Sequence, residues 1–445
     1  MRHPKALQTK NKQIDIISRF FDPKTVEQIA RDTKFVQRES PLSGMDFFLL
    51  CVFAHQKSDC ISLEDMCGEL VKEGIAITKQ SLQDRFNEHA VEFIAALLKR
   101  ALSIKLNVRQ ADLPSDFNRI TIWDSTQISL PESFAAKYRG HGGGASIAGL
   151  KLQYGYELST QKIIAVLIQD AVQSDHTQQL QGIEECDLRI EDLGYFNLQR
   201  LEQIGLSKAF FVSRYRFGIA LFDGNNTNSN QIDLLKLERS IKAGERRTLK
   251  VFIGRTKLPV RMILEKVPED LANKKRRKLK YDKHNKRKNL SKKRLKLCSL
   301  NIYVTNTTEQ QLPSDQLRHY YSLRWQIEII FKCWKSTYRI DQVKPMKLTR
   351  FECMHMGTLI LIVITTNLMA ICKAEMRIKY DKELSEFRFF KLMKSSLDLF
   401  RRAIIDSNQS LLRYIGLLEK MSLRYAVKQA KKGKMTPYNI IKFAA

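Results

Sequence analysis

The alternation of apolar and polar positions divides the chain into a helical start, a strand-rich middle and a helical end. Up to about residue 115, apolar residues recur at helical spacing. Ser62 with Asp65 three residues on predicts a capping box, opening a helix that ends near Gly74. Thr78 is a cap for the next helix, with Leu82 and Phe86 on one face and Lys79, Gln83 and Arg85 elsewhere. Helix, short glycine-containing turn and second helix suit entry into a DNA major groove, and equally any helical hairpin. In the first case Lys79 and Arg85 are candidate DNA contacts.

From about residue 118 the period becomes two. Arg119–Trp123 alternates, with Ile120 and Ile122 on one face. Further strands are expected at 147–158 and 163–169 around a Ser-Thr-Gln turn, then at 188–192 and 209–214. Helices are expected near 175–186 and from Asn197. Together these give a mixed α/β layer order. The glycine-rich loop Gly140–Gly144 lacks the GK[ST] ending of a phosphate loop and reads as a turn. Residues 217–312 hold short β-like runs at 249–253, 260–264 and 300–304. Helical signals return from Pro313 and run to about 430. Met356–Cys372 is apolar but carries Thr365, Thr366 and Asn367, which predicts a buried core helix and no membrane span.

Charge changes the picture. Lys plus Arg is 76 against 47 acids, a net +29 that implies a polyanionic partner, most simply nucleic acid. The segment Asn273–Leu297 holds fourteen Lys or Arg and one acid, Asp282. Such a run repels itself and stays mobile unless a polyanion neutralises it. Lys274, Lys275, Arg276 and Arg277 are therefore candidate phosphate contacts, a solvated loop being the alternative. With 43% hydrophobic and 28% charged residues, collagen, general disorder and a small disulfide scaffold are excluded. No CxxC pair occurs among the eight cysteines, which argues against a zinc ribbon. Cys51, His55, Cys60 and Cys67 crowd together without a ligand spacing and read mostly as buried thiols. No apolar run follows the charged N-terminus, so a reducing, cytoplasmic setting is expected.

Candidate chemistry rests on two carboxylates in matching positions. Asp124 follows Ile120 and Ile122 at spacing two, and Asp192 follows Leu188 and Ile190 likewise. Alternate residues of a strand share a face. If the two strands are adjacent, the carboxylates converge and repel unless a cation sits between them. Oxygen-only ligation points to Mg²⁺ or Mn²⁺. A lone Asp at a strand end is otherwise a turn or a helix cap. The third element is a helix expected over Tyr320–Tyr338, on which Tyr321, Arg324, Glu328 and Lys335 fall in a stripe about 60° wide. Leu323, Ile327, Ile330 and Trp334 cluster on another face. The plainer reading of the stripe is an Arg324–Glu328 pair on a solvated surface.

Tyr321-x2-Arg324-x3-Glu328-x6-Lys335 resembles the YREK signature of bacterial insertion-sequence DDE transposases, the group named for insertion sequence four. Trp123-Asp124-Ser-Thr resembles that family's first Asp motif, and Asp192-Leu-Gly-Tyr-Phe the second. The likeness runs over roughly 45–345. It implies an RNase H-like mixed-sheet core with the first Asp on its first strand and the second on its fourth. A β-rich insertion interrupts the core, and the Glu lies on a late helix. The 135 residues between Asp192 and Glu328 leave room for that insertion.

The resemblance further implies that Asp124, Asp192 and Glu328 are catalytic and hold two Mg²⁺ or Mn²⁺ ions for in-line displacement at phosphorus. Tyr321, Arg324, Lys335 and the flanking Trp325 would contact DNA, the partner being element terminal repeats and target DNA, with a homodimer in the complex and no membrane. A bacterial, nucleoid-associated protein is implied. Some relatives carry a Trp on the strand before this helix, where a flipped base stacks. Here Leu300 or Asn301 holds that place, and Tyr303 is the nearest aromatic residue. Asp170 and Asp175 are the carboxylates nearest in character to the pair and are expected to matter less.

The expected organisation is a helical DNA-binding domain (1–115), a first core part (116–216), a β-rich basic insertion (217–312), a second core part with the YREK helix (313–350) and a helical C-terminal region (351–445). Two other functions fit part of this pattern. An RNase H-like nuclease that cuts without joining would use the same site. A non-enzymatic basic DNA-binding protein would explain the charge, but not Asp124, Asp192 and the helix stripe together.

Overall fold

The computed structural model describes residues 4–56, 62–106, 108, 113–114, 116–143, 145–175, 182–281, 290–429 and 435–443. Cys60 and half of the expected helix near 175–186 lie outside them, and residues 182–186 are not helical. The chain forms two compact units, one of residues 1–110, 125–173 and 326–434, the other of 111–124, 174–325 and 435–445.

The first unit is mostly helical. It begins with α1 (Pro4–Phe20), α2 (Pro23–Asp32), α3 (Gly44–Phe53), α4 (Leu63–Val71), α5 (Lys79–Arg85) and α6 (Glu88–Leu102). Ser62 and Asp65 form the full capping box at the start of α4, and Thr78 caps α5 through Ser81 N–H. Leu82 and Phe86 are buried as the pattern required. Later come α12 (Trp325–Tyr338, with Trp325 in the other unit), α13 (Leu348–Tyr380), α14 (Glu386–Ser395), α15 (Leu397–Asp406) and α16 (Asn408–Tyr425).

α13 is long and apolar enough to cross a membrane, yet its most apolar stretch is wholly buried inside the protein. It packs on α3 and α6. The α3 crossing is so close that a Cβ at Gly357 would meet the Cys51 carbonyl oxygen at 2.3 Å. Two strands, β2 (Gly149–Glu157) and β3 (Lys162–Asp170), complete this unit as an antiparallel hairpin turning at Ser159–Gln161. In the preceding glycine-rich turn, Gly142 and Gly143 both adopt φ +66, a conformation that suits residues without a Cβ.

The second unit is built on a sheet. β1 (Arg119–Ser129) contributes its first half here and its second half to the other unit. The remaining strands are β4 (Asp187–Glu191), β5 (Phe210–Arg214), β6 (Leu221–Phe222), β7 (Arg246–Ile253), β8 (Leu258–Lys266) and β9 (Leu300–Thr305). Their order is β1-β4-β5-β9-β8-β7-β6. β1, β4 and β5 are parallel, and from β9 onward each pairing is antiparallel.

The helices of this unit are α7 (Leu198–Leu206), α8 (Leu234–Ser240), α9 (Glu269–Tyr281), α10 (Lys292–Lys296), α11 (Leu317–Ser322) and α17 (Pro437–Phe443). Phe211, Val251, Met262, Leu264, Leu300 and Val304 lie in the apolar core beneath α7 and α8.

Two expectations change. Most of the described part of the basic segment is helical and not loop, since 273–281 belongs to α9 and 292–296 to α10. Arg276 is compensated locally, since Glu269 and Asn273 pair with it and its Nε also donates to Leu295 O at 3.1 Å. The expected single helix Tyr320–Tyr338 breaks at Leu323–Arg324. There N–H groups bond three residues back, to Tyr320 and Tyr321, and α11 gives way to α12. The stripe therefore does not lie on one continuous helix.

Candidate active site

The two carboxylate strands are neighbours. β1 and β4 run parallel with Ile120 opposite Leu188 and Ile122 opposite Ile190. All four are fully buried. Asp124, within β1, and Asp192, one residue past β4, continue that same face at the strands' C-terminal ends. The cation needed between them is Arg324. Its Nη1 donates to Asp124 Oδ2 at 2.9 Å, and its Nε lies 3.4 Å from Asp192 Oδ1. The break between α11 and α12 places Arg324 at this junction.

Tyr321 stands on α11 beside the pair. Burial pushes its phenol up to about 12, the Asp192 charge adds to this, and Arg324 and Arg214 oppose it. Its ring meets that of Tyr303, centroids 5.4 Å apart. Strand alternation on β9 puts Leu300, Ile302 and Val304 toward the apolar core, so Asn301 and Tyr303 share the other face. Tyr303 is 7% exposed and lies near Arg214, Arg318 and Glu265. Trp325 is 58% exposed.

In the first unit, Glu328 is half-buried in the first turn of α12, four residues after Arg324. Lys335, further along the same helix, donates to Gln127 O at 3.3 Å.

The basic candidates divide. Lys274 and Arg277 face outward on α9, whereas Lys275 and Arg276 are turned in. Lys275 donates to Asn301 Oδ1 at 2.6 Å. Burial, reinforced by Arg214, lowers its ammonium to about 8. Lys79 is exposed and pairs with Glu64 at 2.5 Å. Arg85 is folded over the Phe35 ring at 5.5 Å and hydrogen-bonds Ser40. Helix α5 is only seven residues long.

Of the two lesser carboxylates, Asp170 pairs with Arg139 at 3.0 Å. Asp175 lies close to the site. A Cβ at Gly194 would stand 3.6 Å from Asp175 Oδ2 and 4.0 Å from Asp192 Oδ2. Sequence spacing gave no sign of this, nor of Arg214 and Arg318 gathering near the tyrosines.

Among the described residues, no three His, Cys, Asp or Glu are gathered closely enough to hold a metal ion. Asp124 and Asp192 nonetheless converge on one cation, the guanidinium, and offer only carboxylate oxygens. That is the donor chemistry of Mg²⁺ or Mn²⁺.

Residues 115–364 match the transposase DDE domain family. The chain is 30% identical to the transposase of insertion sequence element IS1151 from Clostridium perfringens, covering 97% of each chain. It is 31% identical to the transposase of IS231C from Bacillus thuringiensis, covering 90% of each. A more distant relative, the transposase of IS421 from Escherichia coli, is 19% identical over 74% of this chain and 86% of its own.

Proposed function

The chain belongs to the family of DDE transposases, and we propose that Asp124, Asp192 and Glu328 are the three carboxylates of its active site. As a member it is a metal-dependent enzyme that cleaves DNA at the ends of an insertion sequence and joins the freed ends to a target. The observation that carries the assignment is the meeting of Asp124 and Asp192, from parallel neighbouring strands, on Arg324 of the YREK signature.

Two Mg²⁺ or Mn²⁺ ions held by the three carboxylates would activate the attacking oxygen and stabilise the leaving one. The protein's own groups do the rest. Asp124 and Asp192 fix a cation site on a rigid sheet edge. Arg324 holds that site's charge until phosphate enters, then grips phosphate through its bidentate fork. Lys335 and Tyr321 flank the strand, Trp325 offers an exposed ring, and the outward Lys274 and Arg277 bind the DNA backbone. Tyr303 receives a displaced base only when its contact with Tyr321 opens. In the first unit, Lys79 and Arg85 read the element end. Two copies act together, one on each terminal repeat, at the bacterial nucleoid.

The test is a strand-transfer assay with a precut 3′-hydroxyl element end and plasmid target. Joined product is expected. Clean nicking without joining would favour a nuclease, and binding without cleavage a DNA-binding protein alone.

A further inference from the structure

The side of the β1–β4 pair opposite the aspartates is also buried, but it is ionic. Trp123 stands opposite Glu191 in the register, and each immediately precedes one of the two aspartates. Alternation sends Trp123 and Glu191 to one face and Asp124 and Asp192 to the other. Arg189, Glu191 and Arg200 are only 1%, 5% and 4% exposed.

Arg189 Nε donates to Glu191 Oε1 at 2.6 Å, and its guanidinium lies 4.3 Å over the Trp123 ring. Arg200, reaching back from α7, donates from Nε to Glu191 Oε2 at 2.9 Å and from Nη2 to Oε1 at 2.7 Å. Its guanidinium also lies 5.3 Å over Tyr195, in the short turn that follows Asp192. Glu191 thus accepts from both guanidinium groups at once, one from its own strand and one from α7. Burial alone would raise the Glu191 carboxyl, but Arg189 and Arg200 hold it below its ordinary range.

A cluster of this kind is a poor device for stability. Replacing a buried ion triad by apolar residues of similar volume is often neutral or stabilising. Its position suggests another use. It ties together the backbone that carries Asp124, the backbone that carries Asp192 and the turn after Asp192.

We propose that Arg189, Glu191 and Arg200 are positioning residues for the metal-binding aspartates, setting the separation of Asp124 and Asp192 from behind the sheet. The inference rests on the assignment of those aspartates as metal ligands.

Mn²⁺ titration of the full chain, read by water-proton relaxation, tests it together with thermal unfolding. The triple change Arg189→Met, Glu191→Met, Arg200→Met removes the whole cluster at once. It is expected to lower Mn²⁺ affinity about tenfold, the lower end of what losing outer support costs a metal site, while the unfolding midpoint stays within a few degrees. Arg200→Lys keeps the charge but loses the two-pronged grip on Glu191, and is expected to lower affinity about threefold.

Affinity within twofold of the parent in both variants would overturn the proposal. If the triple variant does not fold, Arg200→Lys alone decides by the same measure. Asp192→Asn separates the two layers of the argument. If it too leaves Mn²⁺ affinity unchanged, the metal-site assignment fails. If it alone weakens binding, only the positioning role fails.

Discussion

The interior of α13 and the polar side of the β1–β4 pair are equally dry, and they are built by opposite means. Between Gly357 and Cys372, α13 contains no ionisable acid or base apart from its terminal thiol. Its hydroxyls are satisfied close at hand. Thr358 donates to Met354 O at 2.9 Å, Thr366 to Ile362 O at 2.8 Å, and Thr365 bonds the Tyr338 hydroxyl at 2.9 Å. Across β1 and β4, by contrast, Arg119, Asp187, Arg189 and Glu191 sit on adjacent strands, ion-paired among themselves and with Arg200. Water-free packing around an apolar helix suffices to hold a fold. Ions carried into the interior cost desolvation, and here they lie directly behind the two aspartates.

The largest effects are expected at the carboxylates. Asp124→Asn, Asp192→Asn and Glu328→Gln should each reduce nicking by at least about a thousandfold, on the order of 4 kcal/mol. DNA binding by gel shift and the unfolding midpoint should barely move. Cleavage retained in Asp192→Asn would defeat the assignment.

Gly357→Val should do the reverse. Its side chain would collide with the α3 backbone, costing about 1–3 kcal/mol or more in denaturant unfolding, while cleavage per folded molecule is unchanged.

The pH dependence of stability sharpens the contrast within the first unit. Burial disfavours the Glu386 carboxylate, but Lys373, bonded to it at 2.6 Å, and Lys428 bring it down to about 2 from 4.5. Because the folded value lies below the unfolded one, the stabilisation is present above about pH 4.5 and is lost as pH falls toward 2. Denaturant midpoints measured from pH 6 to pH 3 should fall in the parent and fall less steeply in Glu386→Gln.

The smallest effect concerns α9. Changing the outward Lys274, Arg277, Lys278 and Lys280 to Gln should flatten the plot of log K against log salt by about 0.9 for each side chain that reaches phosphate. The inward Lys275 and Arg276, changed together, should flatten it little. An equal change in slope per substituted residue in the two sets would mean that facing outward on α9 does not matter.

What the sequence disclosed was local or periodic. Ile120, Ile122 and Asp124 announced their shared face by spacing, as did Leu188, Ile190 and Asp192, and Ser62 with Asp65 announced its own cap. That β1 lies beside β4 was a condition the spacing could only pose, because neither strand's residues encode its neighbour. The polar residues Arg189 and Glu191 alternate with apolar ones as on a half-solvated strand. Only the arrival of Arg200 from the following helix and of Trp123 from the distant strand β1 turns them into a buried cluster. The break at Leu323–Arg324 escaped a helical-wheel reading because no Gly or Pro marks it. The basic run was expected to be mobile because its compensating groups, Glu269 and the carbonyl of Leu295, lie at its borders or on its own backbone.

One consequence of the strand order concerns how the protein meets other chains. A strand at a sheet's margin exposes a row of unpaired N–H and C=O groups to any extended segment that drifts past. In the second unit β5 does not occupy that margin, because β9 and then β8 and β7 continue the sheet beyond it. The sheet stops at β6, which is only Leu221–Phe222, and the Lys257 ammonium lies 5.0 Å over the Phe222 ring. Two residues beside a lysine make a poor template for strand addition. At this end of the sheet the apolar strands behind them are thereby shielded from strand addition, and from the fibrous association that a long bare edge invites.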